Sequence, residues 1–167
     1  MRIYLVGFMG SGKSSVGRRL AKKLNYHFID IDDEVVQMEG RPVTDIFQLL
    51  GENHFRRIEQ QALHNTAHLN KAVIATGGGT PCFFDNMDFI NAHGTSVYLR
   101  MNPSSLAFRL EHALKKRPLL ENIKGEKLLA YIENKLEERE PWYMQAKCII
   151  KGETVRIDQI ISLVFGH

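Results

Sequence analysis

The stretch GFMGSGKS, Gly7–Ser14, follows directly on the apolar run IYLV and restricts the chain to few folds. Gly7, Gly12, Lys13 and Ser14 satisfy the spacing G-x-x-x-x-G-K-[ST]. The flanks suit it. Ile3–Val6 reads as a short buried strand, and Ser14–Leu24 as a helix with Val16, Leu20 and Leu24 on one stripe. A strand, a glycine-rich loop and a helix start make an anion site. Backbone N–H groups can curl round phosphate oxygens, and the helix N-terminus adds partial positive charge. Lys13 can reach the β- and γ-phosphates, and the Ser14 hydroxyl can take one position on a magnesium ion. Gly10, Ser11, Gly12, Lys13, Ser14 and Ser15 are therefore expected to hold the phosphates of a nucleoside triphosphate.

The rest of the chain alternates in the same way. Strand-like runs occur at Ile3–Val6, His27–Ile31, Ala72–Thr76, Thr95–Arg100 and Lys147–Ile150. Helical segments are expected at Ser14–Leu24, Asp32–Glu39, Val43–Leu50, Glu52–Leu69, Phe84–His93, Pro103–Leu114, Glu126–Glu140 and Thr154–Phe165. This order predicts an α/β protein of three layers, a five-stranded parallel sheet with helices on both faces and right-handed crossovers. Ligands in such a sheet sit beyond the carboxyl ends of the strands. The 167 residues fit one domain, and no linker or repeat divides them. Lys115–Gly125 is the most polar and least periodic stretch and reads as a mobile loop.

Charge and cysteine content narrow the function class. Lysine and arginine number 22 against 19 acidic residues, a net +3, which suits small anionic ligands better than nucleic acid. The two cysteines, Cys82 and Cys148, form no CxxC or zinc spacing. His64 and His68 are spaced i, i+4 without the glutamate of H-E-x-x-H, so they read as helix-surface residues. No apolar stretch reaches membrane-spanning length, and the N-terminus enters a strand at once. A soluble, cytoplasmic monomer is expected, with no membrane or nucleic-acid partner.

Candidate groups cluster at the ends of the predicted strands. The second strand ends in FIDID, and Asp30 and Asp32 point the same way on an extended backbone. One acid could hold magnesium through water, while the other orients an acceptor hydroxyl. A structural alternative has Asp32 capping a helix that starts at Asp33. The third strand ends in TGGGTP, Thr76–Pro81, where three consecutive glycines suit a ligand touching the backbone or a sharp turn. In FRRIE, Phe55–Glu59, Arg57 lies opposite the apolar stripe. Glu59 falls within that stripe and needs a partner, which Arg56 can supply. That pair is either structural or part of a site. Arg139 projects into the stripe of Leu128, Leu129, Ile132 and Leu136, so its guanidinium must meet an internal acid or a ligand. If Arg56 and Arg139 converge, they make a planar fork for a carboxylate. Arg117, in KKRPLL, is either surface charge or a lid arginine for the γ-phosphate.

Together these pieces resemble the shikimate kinase family. The matching elements are GFMGSGKS, FIDID, FRRIE, TGGGTP, KRPLL at Lys116–Leu120 and REPWY at Arg139–Tyr143, in the family's order. The resemblance implies a P-loop kinase fold of the nucleoside monophosphate kinase type. It implies ATP-dependent phosphorylation of the 3-hydroxyl of shikimate, a step of chorismate and aromatic amino acid biosynthesis, with ATP and Mg2+ as cofactors. Carried over by residue, Lys13 binds phosphate, Ser14 and Asp30 serve magnesium, and Asp32 binds the reacting hydroxyl. Arg56 and Arg139 form the carboxylate clamp, and Gly77, Gly78 and Gly79 line the shikimate pocket. Arg117 is the lid arginine and Arg109 lies against adenine. The acceptor-binding segment would span about 32–62 and the mobile lid about 112–125. Some features depart from the family. Ser14-Ser15 replaces the frequent Ser-Thr or Thr-Thr, and the lid is compact. KGETVRID lacks the Asn/Arg-Pro character of the adenine loop.

Rival readings make distinct demands. Gluconate kinase shares the fold and a hydroxy-acid substrate, but FRRIE with the triglycine favours shikimate. A nucleoside monophosphate kinase carries a longer lid and a base-reading segment. A regulatory GTPase needs N-K-x-D, and Asn70-Lys71-Ala72-Val73 has no aspartate. A nucleic-acid-binding ATPase would show a basic stripe with aromatics.

Overall fold

The structure, a computed structural model, describes residues 1–113, 120 and 122–166. Five strands alternate with helices: β1 Arg2–Val6, β2 His27–Asp30, β3 Ala72–Ala75, β4 Thr95–Arg100 and β5 Cys148–Lys151. They pair in parallel in the order β2-β3-β1-β4-β5. The glycine-rich loop leaves the central strand. It is flanked by the end of β3 on one side and of β4 on the other, at the point where the connections change direction across the sheet.

The helices are α1 Lys13–Leu24, α2 Ile31–Glu39, α3 Val43–Asn65, α4 Asn86–His93, α5 Pro103–Glu111, α6 Glu126–Tyr143 and α7 Ile157–Phe165. Alternate residues of β1 serve opposite faces, as the two-residue period requires. Tyr4 and Val6 join the larger core with residues of α2 to α6. Ile3 and Leu5 join the smaller core with Val16, Leu20 and Ala21 of α1 and Ile160 of α7. Both faces are covered, which is why the strands read as continuous apolar runs.

Most boundaries fall within a few residues of the sequence expectation, and several differ for a local reason. β2 ends at Asp30 rather than Ile31, because the Asp30 carboxylate accepts from the N–H groups of Asp32 (3.0 Å) and Asp33 (3.4 Å) and starts α2 there. The cap is thus Asp30, not Asp32, and the two acids do not share one extended backbone. The expected helices on either side of Gly51 form one element that kinks at that residue, where φ is 83°. It ends at Asn65 and passes into a single 3-10 turn, Thr66–His68. α6 runs past Pro141 to Tyr143, since the last turn is secured by the fully buried Tyr143. α7 begins at Ile157, after a short 3-10 turn at Gly152–Thr154. Of the expected lid over 112–125, residues 114–119 and 121, Arg117 among them, lie outside the described residues. Among the described residues no helix is long and apolar enough to cross a membrane.

One glycine shows how tightly the central strands are laid down. At Gly94, before β4, an added Cβ would lie 2.5 Å from the Arg2 carbonyl and 2.8 Å from the Tyr4 ring. Neither neighbour can yield, since one is backbone and the other is in the core. Gly94→Ala is expected to cost about 2–3 kcal/mol, read as a lower urea midpoint at unchanged slope.

Candidate active site

The glycine-rich loop builds its cavity from backbone. Gly10 and Gly12 have φ of 82° and 91°, the left-handed region that side chains resist. A Cβ at Gly10 would also meet Leu110 at 3.0 Å. The Lys13 ammonium donates to the carbonyls of Gly7 (2.7 Å) and Phe8 (2.9 Å), which holds it over the loop. The Ser14 hydroxyl donates to Asp30 Oδ2 at 2.6 Å. One aspartate therefore caps α2 with one oxygen and meets the first turn of α1 with the other. A hydroxyl and a carboxylate side by side form an all-oxygen donor set, which suits a hard divalent cation such as magnesium. The cavity here measures about 220 Å³, and Gly10, Gly12, Lys13, Ser14 and Ser15 line it. Ser11, fully buried, lies within the loop rather than on that wall. Arg109 from α5 reaches over the loop, its Nη1 3.1 Å from the Cβ position of Gly12.

A second cavity, of about 300 Å³, opens beside the first. The two share Met9, Asp32, Gly77 and Gly78 in their walls. Asp32 thus stands at the junction, in the first turn of α2. The second cavity is lined by Val43, Phe47, Phe55, Arg56 and Glu59 of α3 and by Arg139 of α6. It is apolar with a few convergent charges, the character of a small-metabolite site.

The two arginines converge there, although their segments are far apart in sequence. Both are only 6 % exposed. Arg56 Nη1 donates to Glu59 Oε1 at 2.9 Å, and its guanidinium lies 4.1 Å from the centre of the Phe83 ring. The Arg56–Glu59 pair is thus a buried ion pair, and both residues line the second cavity. Burial pushes the Glu59 pKa up, and the Arg56 charge pulls it back. Arg139 lies over Phe8, and its Nη1 is buried with no hydrogen-bond partner among the described residues. Leaving such a donor bare costs about 1–3 kcal/mol, so this position calls for an anion. Arg57 is exposed, as its place opposite the stripe predicts.

The triglycine owes its composition to space. None of its residues has a positive φ. A Cβ at Gly77 would meet Asp32 Oδ1 and Glu59 Oε2 at 3.0 Å, and one at Gly79 would meet Arg56 Nη1 at 2.6 Å. At Gly78 it would meet the Met9 amide at 3.1 Å. Charged side chains press on this backbone, so a ligand is not the sole reason for the three glycines.

Tyr143 has a part in the site that the sequence reading did not assign. Its hydroxyl donates to the Gly78 carbonyl. One residue after Arg139, Glu140 accepts from the Tyr98 hydroxyl at 2.6 Å and pairs with Arg100 at 3.1 Å. α6 is thereby tied to β4 and to the triglycine in the turn that follows Arg139. The signal was present, since Ile132, Leu136, Arg139 and Tyr143 keep helical spacing through Pro141. Near the 3-10 turn at Gly152, Glu153 accepts from the Asn102 amide at 2.9 Å.

With this geometry established, comparison with known proteins gives a consistent result. A profile of the shikimate kinase family matches residues 9–165. A curated shikimate kinase of Parabacteroides distasonis is 45 % identical over 152 residues, covering 91 % of this chain and 88 % of that protein. The crystal structure of shikimate kinase from Bacteroides thetaiotaomicron superposes with a TM-score of 0.94 at 37 % identity, covering 100 % of this chain and 99 % of that one. The Acinetobacter baumannii enzyme, solved in complex with shikimate, gives 0.88 at 32 % identity, covering 99 % and 93 %.

Cys82 lies beside the arginines, and burial outweighs them and pushes its thiol up to about 11. At pH 8 only about one thiol in a thousand is then ionised. In a Cys148→Ser variant, the modification rate by a thiol reagent should be slow at pH 8 and rise about tenfold per pH unit up to 10. A fast, pH-independent rate would show an activated cysteine instead.

Proposed function

Because the chain belongs to the shikimate kinase family, we propose that it transfers the γ-phosphoryl group of ATP to the 3-hydroxyl of shikimate, with the residues described above as its machinery. The observation that carries the assignment of roles is the shared wall of the two cavities. Asp32 stands where a phosphoryl group on the loop would face a hydroxyl in the arginine-lined cavity. Phosphoryl transfer needs this placement more than it needs covalent chemistry.

The backbone N–H groups of Gly10–Ser15 and the Lys13 ammonium bind the phosphates and offset charge as it gathers on the β–γ bridging oxygen. Ser14 and Asp30 would hold magnesium, which would supply positive charge to offset that of the phosphates. Arg56 and Arg139 fork the substrate carboxylate, a geometry that lysine could not reproduce. This orients the ring so that its 3-hydroxyl meets Asp32. Asp32 accepts the hydroxyl's hydrogen bond and turns an oxygen lone pair toward phosphorus. The oxygen–phosphorus bond forms as the bridging bond to the β-phosphate breaks, and the hydroxyl proton leaves by way of Asp32. Arg109 lies against the nucleotide on the far side of the loop. The role of Arg117 on the γ-phosphate rests on the KRPLL resemblance alone. Every residue in this reading comes from one chain, so a monomer suffices.

Coupled detection of ADP from MgATP, with shikimate, gluconate, a panel of nucleoside monophosphates or water as acceptor, tests the reading. Turnover is expected with shikimate only, and turnover with gluconate instead would overturn the assignment of the arginine fork. Asp32→Asn should lower kcat by about 100-fold or more, with MgATP binding by calorimetry unchanged. Retained turnover would remove Asp32 from the mechanism. Arg139→Ala should lose about 2 kcal/mol of acceptor binding, seen as a KM for shikimate raised about 30-fold.

A further inference from the structure

Thr80 is fully buried and opens the 3-10 turn Thr80–Cys82, directly after the triglycine. Its hydroxyl donates to Glu59 Oε2 at 2.8 Å, while Glu59 Oε1 accepts from Arg56 Nη1 at 2.9 Å. The three groups form one relay, hydroxyl to carboxylate to guanidinium. The relay is held from behind, since the Thr80 carbonyl accepts from the fully buried Asn86 of α4 at 2.8 Å.

The hydroxyl stands at a crowded point. The Cβ position of Gly77 lies 2.9 Å from Thr80 Oγ1 and 3.0 Å from both Asp32 Oδ1 and Glu59 Oε2. Two carboxylates that face the same point beside Gly77 repel each other. Arg56 holds one oxygen of Glu59 from the same helix, and Thr80 holds the other from the far side. Glu52, one turn earlier on α3, accepts from Arg56 Nη2 at 3.5 Å, and Asp32 from α2, the Cys82 thiol of the same turn, and Arg139 and Lys135 from α6 also act on this neighbourhood. Without the Thr80 donor, one Glu59 oxygen would be buried with no hydrogen bond from that side. The carboxylate would then turn, and Arg56 would turn with it.

Resting on the acceptor-site reading above, we propose that Thr80 is a positioning residue, whose hydroxyl sets Glu59 and through it the angle of the Arg56 guanidinium toward the substrate carboxylate. The requirement is for a hydroxyl, so serine serves and valine of the same shape does not.

The test is steady-state kinetics on the full chain. The wild-type protein must first turn over shikimate; failure there overturns the acceptor reading and this proposal together. Given that activity, Thr80→Val should raise the KM for shikimate about tenfold, with kcat and the KM for MgATP within about twofold. Thr80→Ser should match the wild type on all three constants. In an Arg56→Lys background, Thr80→Val should change kcat/KM for shikimate by less than about twofold, because the relay no longer ends on a fork. An unchanged KM, a rise shared equally with MgATP, or the same penalty in the Arg56→Lys background would each overturn the positioning role while leaving the acceptor reading intact. If Thr80→Val does not fold, as thermal melting would show, Thr80→Ala leaves more room and decides the same question by the same constants.

Discussion

Two guanidinium groups are buried against a stretch of bare backbone, and the acceptor side of the molecule is arranged around them. A buried arginine is tolerated only when its charge and its donors are met. Arg56 meets Glu59 and the face of Phe83; Arg139 meets Phe8 and keeps a donor in reserve. Both need a neighbour with no side chain, and the triglycine supplies it. Gly79 leaves room for one guanidinium and Gly78 lies beside the other. The loop, the Arg56 helix and the Arg139 helix are therefore a single device, and none of the three is free to move alone.

The nucleotide side depends on a comparable economy of parts. Asp30 ends a strand, caps a helix and accepts from Ser14 with its second oxygen. Capping gives this carboxylate a defined orientation before any cation is bound. The phosphate loop lies at the centre of the sheet, so the ends of β2 and β3 bring their side chains to it from one side. Asp32, in the first turn of α2, then falls between the two cavities. A parallel sheet places functional loops at one edge in this way because all its strands point in one direction.

Much of this was legible in the chain itself. The glycine-rich loop between β1 and α1 could be read because its spacing is dictated by backbone geometry within a few residues. The five strands and the helices of the described residues could be read from apolar period, except that two of the eight expected helices are one element kinked at Gly51. Boundaries failed where a side chain outcompeted the period. Asp30 took over the start of α2, and the anchored Tyr143 carried α6 through a proline. Thr80 carried no signal at all, because a threonine after a turn has no pattern until its partner on α3 is in place.

The sequence by itself determined the fold class, the glycine-rich loop and the inventory of charged groups, since each depends on neighbours within a turn or a strand. It also showed that Glu59 and Arg139 needed partners, because a charge on an apolar stripe cannot stand alone. Only the tertiary structure decided which partners they met. It brought Arg56 and Arg139 into one cavity and put Asp32 in the wall between that cavity and the phosphate loop. Such convergence depends on crossovers and packing between segments distant in the chain, and no local period encodes it.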